Sequence, residues 1–118
     1  MKEIKAFIHK NRVADVLHAL KMNNFCSKPC NLSITDVYGT LKPIDSKEKI
    51  FSIDLGEGII NEVKLELICK DELLETALSL ISENAQTGQE LAGYIYVSEI
   101  SDVVAIKKTE SGDKNNDE

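Results

Sequence analysis

The chain has 118 residues, a length that suits one domain with one apolar core. Hydrophobic residues make up 42% and charged residues 29%, the balance of an ordinary globular protein, and no apolar run is long enough to span a bilayer. Twenty Asp and Glu against fourteen Lys and Arg leave a net charge of −6, which argues against a nucleic-acid binder, since that needs a basic face to displace counterions.

The opening residues, Met1 to Lys10, alternate charged and apolar and contain no secretory apolar core, so a cytoplasmic protein is expected. Glu3-Ile4-Lys5-Ala6-Phe7-Ile8 has the period-two pattern of a half-buried strand, with Ile4, Ala6 and Ile8 on one face. Val13, Val16, Leu17 and Leu20 then form one stripe of a helix. Leu32 to Tyr38 alternates again and ends at Gly39. The pattern then repeats. Glu62-Val63-Lys64-Leu65-Glu66-Leu67 reads like the first strand, with Val63, Leu65, Leu67 and Cys69 on one face. Leu74, Ala77, Leu78 and Ile81 form a second helical stripe, with Asp71 as an expected N-cap and Gly88 beyond its end. Tyr94 to Ser98 is the next strand, and Val103-Val104-Ala105-Ile106 has the composition of one more short strand.

Strand–helix–strand, twice over, predicts an α+β ferredoxin-like β-α-β-β-α-β sandwich with an antiparallel sheet of mixed order and two helices on one face. The Gly39–Asn61 connection between strands two and three is oversized for a hairpin. It reads as a floppy insertion, as a hairpin extending two of the strands or, preferably, as a mobile recognition loop, since long loops on rigid scaffolds commonly carry binding. The domain is expected over 1–108. The remainder, 109–118, reads as a flexible acidic tail, and half of the net charge lies in its last nine residues.

Several stretches, in order, resemble the PII signal-transduction family. They are Met1-Lys2-Glu3-Ile4-Lys5-Ala6, the helix Val13–Leu20, Thr35-Asp36-Val37-Tyr38-Gly39, Val63-Lys64-Leu65-Glu66-Leu67, Ala85-Gln86-Thr87-Gly88 and Tyr94-Ile95-Tyr96-Val97. The resemblance runs from Met1 to about Lys108. It implies a non-catalytic homotrimer of ferredoxin-like subunits with adenine nucleotide held between subunits. It also implies that the loop Gly39–Asn61 is the T-loop, which reports the bound state to a membrane transporter or a metabolic enzyme. Carried over by position, the nucleotide cleft would use Ser33, Leu41 and Lys42 at the T-loop base, and Glu66 and Ile68 on the third strand. It would also use Thr87, Gly88, Gln89, Leu91, Ala92, Gly93 and Tyr94 in the B-loop, and Ala105, Ile106 and Lys107 after the last strand.

Some of these positions depart from the family. Its Gly-Asp-Gly-Lys B-loop is replaced by Leu91-Ala92-Gly93-Tyr94, so a phosphate-binding ammonium becomes a phenol. One family arginine is Ala105 and the other Lys107, which lacks the bidentate fork of arginine. The effector expected is therefore ADP or AMP ahead of ATP. The glutamine that helps ligate Mg²⁺ and 2-oxoglutarate is Pro43. The lysine that meets 2-oxoglutarate is Glu62, and the tyrosine modified in some members is Leu55. Sensing of 2-oxoglutarate and tyrosine modification are thus expected to be lost.

Cys26, Cys30 and Cys69 match no zinc template and read as free thiols; only His9 and His18 remain to complete a ligand set. No Ser or Cys nucleophile stands out with a His and carboxylate partner, so no catalytic residue is expected. Two rival readings are a trimer of the CutA type that senses a small anion or a metal, and a structural trimer whose loop binds a partner constitutively.

Overall fold

The alternation that opens the chain becomes strand β1, Lys2–His9, in a computed structural model that describes residues 1–25 and 31–109. Helix α1, Val13–Met22, follows, then β2, Leu32–Gly39. Next come a short strand β3, Lys49–Ser52, and a long one, β4, Glu57–Cys69. Helix α2, Leu74–Asn84, and strand β5, Tyr94–Glu99, complete the regular structure. The strands run in the order β2-β4-β1-β5, with β3 pairing with β4 beyond the end of β2. All pairings are antiparallel. Each strand–helix–strand unit is split, with one strand of the other unit lying between its two. This is the expected ferredoxin-like sandwich.

The helical stripes bury as the spacing predicts. Val16 and Leu20 of α1 and Ala77 and Ile81 of α2 are fully enclosed, packed on Ile4, Ala6 and Ile8 of β1 and on Val63, Leu65 and Leu67 of β4. Each enclosed Leu or Ile contributes about 2 kcal/mol. The repeat extends to the connections, because both helices are entered through one turn of 3₁₀ helix, Lys10–Arg12 and Asp71–Leu73. The Arg12 Nε donates to the Asn84 carbonyl at 3.0 Å, so the start of one unit caps the helix end of the other.

Three expectations are corrected. Asp71 does not cap α2; the N-cap residue is Leu73, which has no polar side chain to bond the first turn. The Asp71 carboxylate instead sits 2.9 Å from the Met1 amino group. That hydrogen bond lowers the Asp71 pKa and raises that of the Met1 amine. Val103–Ile106 is not a strand. The Ile100 amide donates to the Met1 carbonyl at 3.1 Å, which carries the chain past the end of β1 rather than back onto β5. Finally, the connection Gly39–Asn61 is not one open loop. Its second half is the hairpin β3–β4, turned at Gly56, whose φ of 65° suits glycine. The extending-hairpin reading therefore describes residues 49–61, and only 40–48 remain irregular.

Candidate functional site

The helices cover one face of the sheet. The opposite face carries Glu3, Lys5, Phe7 and His9 from β1, Glu62, Lys64 and Glu66 from β4, Ser33, Thr35 and Val37 from β2, and Tyr94 and Tyr96 from β5. At its loop end lies a groove of about 670 Å³. Its floor is sheet, namely Phe7, Val37, Glu62, Tyr94 and Tyr96; its walls are residues 38–42 on one side and Gln89–Leu91 on the other. Gln89 ties the walls together. Its Nε2 donates to the Lys42 carbonyl at 3.0 Å and to the Pro43 carbonyl at 3.3 Å, while its Oε1 accepts from the Thr87 hydroxyl at 2.6 Å.

Glu62 sits where the floor meets the loop. It is only 4% exposed, although it stands on the polar face of its strand. Its Oε2 accepts the Leu41 amide at 2.8 Å. Room for the carboxylate exists because Gly39 has no Cβ, which would collide with it. Beside it, His9 is wholly enclosed. The His9 Nδ1 lies 2.7 Å from Glu48 Oε2; a carboxylate accepts, so Nδ1 is the donor. The other Glu48 oxygen accepts the Ile44 amide at 2.6 Å. The end of β1 thus fastens the irregular loop from below, and His9 Nε2 is left buried without a partner.

The carried-over residues divide. Leu41, Lys42, Gln89, Leu91 and Tyr94 line the groove. Ser33, Glu66 and Ile68 line a smaller pocket of about 130 Å³ near the far end of the same face. Glu62 and Ile68 are six residues apart on one strand, so about 20 Å separates the two ends. Thr87 and Gly88 form the turn behind the groove wall, with Gly88 at a φ of 89°. Ala92 and Gly93 lead into β5; a Cβ on Gly93 would strike the Phe7 carbonyl oxygen. Ala105, Ile106 and Lys107 are exposed and line neither pocket. Phe7, Tyr38 and Tyr96 line the groove without having been expected there from the resemblance, which gave Glu62 only as the counterpart of the lysine that meets 2-oxoglutarate. The even-numbered alternation of β4 did place Glu62 on the open face.

Cys26 and Cys30 fall outside the described residues. Cys69 closes the core at the end of β4, 6% exposed, and burial pushes its thiol up from the usual value. Iodoacetamide should therefore alkylate Cys69 at least tenfold more slowly than a free thiol at neutral pH, as read by peptide mass mapping. Equal rates would show that this strand end opens readily. His18 is exposed on α1. Among the described residues no three His, Cys, Asp or Glu side chains gather as a metal site, and no helix is long and apolar enough to cross a membrane.

Comparison with known proteins decides the family. The model of the family "Nitrogen regulatory protein P-II" matches residues 1–110. The chain belongs to the P-II family. It is 31% identical to nitrogen regulatory protein P-II 1 of Methanothermobacter thermautotrophicus over 112 residues, 95% of this chain and 94% of that one. It is 30% identical to P-II 2 of the same organism over 115 residues, 97% and 96% of the two chains. Against P-II 1 of Escherichia coli K12 the identity is 26% over 113 residues, 96% and 97% of the two chains. P-II proteins are regulators rather than catalysts, bind adenine nucleotide effectors, and act as trimers on partner proteins. Residues 39–61 are accordingly called the T-loop below, and 87–94 the B-loop.

Proposed function

We propose that this P-II protein is a cytoplasmic, trimeric regulator, built on one domain over 1–108. It takes ADP or AMP between subunits in preference to ATP and acts on a transporter or an enzyme through its T-loop. One observation carries the preference. Among the described residues that line the groove, Lys42 is the sole cation, set against two acidic residues, Glu62 and Glu90. A charge-assisted contact to phosphate contributes about 1.5–3 kcal/mol. Phenol Tyr94 and methyl Ala105 supply none, so the most highly charged nucleotide loses most. The splitting of the carried-over residues between two ends of one face supports a cleft completed by neighbouring subunits. The T-loop tip supports partner contact, since Phe51 and Ile53 are 68% and 86% exposed.

Calorimetry with AMP, ADP and ATP tests the reading. ADP or AMP should bind at least tenfold more tightly than ATP, with no gain from Mg²⁺ and 2-oxoglutarate. ATP binding tightest, with 2-oxoglutarate enhancing it, would overturn it. A single protomer in ultracentrifugation at working concentration would remove the cleft altogether.

A further inference from the structure

We infer that Gln89 is the tether between the B-loop and the T-loop base, and that tether and nucleotide phosphate are alternatives: a phosphate that takes the Gln89 amide frees the T-loop base. A primary amide has two N–H donors and one acceptor oxygen. In Gln89 both donors are spent on the T-loop, on the Lys42 carbonyl at 3.0 Å and the Pro43 carbonyl at 3.3 Å. Carbonyls only accept, so the nitrogen end of the amide faces them. The oxygen end accepts the Thr87 hydroxyl at 2.6 Å, and that hydroxyl oxygen accepts the Gln89 backbone amide at 3.3 Å. Thr87 thus fixes which way the amide points. Among the described residues, no other hydrogen bond or ion pair joins residues 87–94 to residues 40–48.

The tether stands where a nucleotide would arrive. Gln89 lines the groove together with Lys42, the sole cation among its described lining residues. A phosphate drawn to the Lys42 ammonium therefore comes to the residue whose carbonyl Gln89 holds. Charged phosphate oxygens accept hydrogen bonds more strongly than a neutral carbonyl does. Gln89 has no third side-chain donor to offer. A phosphate that engages this amide thus removes at least one bond from the T-loop base. Each such neutral bond favours the tied conformation by a factor of about five. The other fastenings stay in place, the Leu41 amide on Glu62 and Glu48 on His9 and the Ile44 amide. The release is confined to the stretch between them, at Lys42 and Pro43.

This inference rests on reading the groove as a nucleotide site, and it reverses the usual sign of a lining residue. Coupling is reciprocal: if binding breaks the tether, removing the tether strengthens binding. Replacing a residue that merely touches nucleotide would weaken it. Gln89→Met keeps the side chain's length and has no N–H donor. Without nucleotide, hydrogen exchange over residues 40–44 should be roughly tenfold faster in Gln89→Met than in the parent, with exchange in the sheet unchanged. Thr87→Val leaves Gln89 in place but frees its oxygen end, and should quicken the same exchange about threefold. ADP should speed exchange over residues 40–44 in the parent and change it little in Gln89→Met. By calorimetry, Gln89→Met should bind ADP roughly three- to tenfold more tightly than the parent. Weaker ADP binding in Gln89→Met, slower exchange in the parent with ADP, or equal exchange in the two proteins without it would overturn the inference and leave the nucleotide reading standing. Absence of ADP and AMP binding in the parent would overturn the nucleotide reading and the competition with it, while exchange without nucleotide still decides the tether.

Discussion

Replacing Gly93 by alanine is expected to lower the melting temperature by roughly 4–12 °C, the largest effect of any single methyl group added to the B-loop. The Cβ would meet the Phe7 carbonyl oxygen and lie 3.4 Å from the Phe7 carbonyl carbon and 3.5 Å from Ile8 Cα. All three are main-chain atoms of β1, where Phe7 is paired with Lys64 of β4 and Tyr94 of β5 and Ile8 with Val63 of β4. They cannot rotate away as a side chain would. Overpacking of this kind costs about 1–3 kcal/mol, and a domain of this size loses roughly 4 °C for each. Gly88→Ala is the control. Nothing lies within 4 Å of its Cβ, so only the positive φ is penalised, at about 1–2 kcal/mol. Calorimetric melting of both variants measures the difference. If Gly93→Ala melts with the parent but loses nucleotide affinity, that glycine is kept for an anion rather than for the close approach of two strands.

Cutting the link between His9 and Glu48 should release residues 40–48 without unfolding the sheet. In Glu48→Ala both anchors go, the 2.7 Å contact to His9 and the 2.6 Å acceptance of the Ile44 amide. Charge-assisted hydrogen bonds are worth about 1.5–3 kcal/mol each, so local opening should rise at least tenfold. Limited proteolysis after Asp45 should accelerate by that factor, while far-UV circular dichroism stays unchanged. Glu48→Gln keeps an amide oxygen for Ile44 and should lie between the two. Cleavage at the parental rate in Glu48→Ala would show that this bridge does not hold the loop.

Much of the scaffold is legible because its signals are local. Ile4, Ala6 and Ile8, then Val13, Val16, Leu17 and Leu20, announce strand and helix by spacing alone, and their repetition at Val63–Leu67 and Leu74–Ile81 announces the fold. The site is less legible because it depends on register. Phe7 and Tyr94 are cross-strand partners 87 positions apart, and no local pattern brings them together. Glu62 reads as a solvated residue from its strand face. It is buried because Gly39 leaves it room and a loop folds back over it. That loop is fastened through His9 and Glu48, 39 residues apart. Asp71 looks like a cap because its type and position fit one; the nearby Met1 amino group, invisible in spacing, takes its carboxylate. Strand β3 escapes notice because Lys49–Ser52 is short and the flanking Gly56 and Gly58 read as breakers, whereas they form the turn and the entry to β4.

The unbroken run of β4 gives the T-loop a mechanical character. Its 13 residues extend roughly 43 Å. One end is clamped between β1 and β2, and the other is braced only by β3. A partner that grips Phe51 and Ile53 therefore loads a cantilever rooted in the middle of the sheet. On the proposed reading, force on the tip would be delivered as torque at Glu62 and the strand beneath it, and the hairpin would convey its message by posture rather than by melting and refolding.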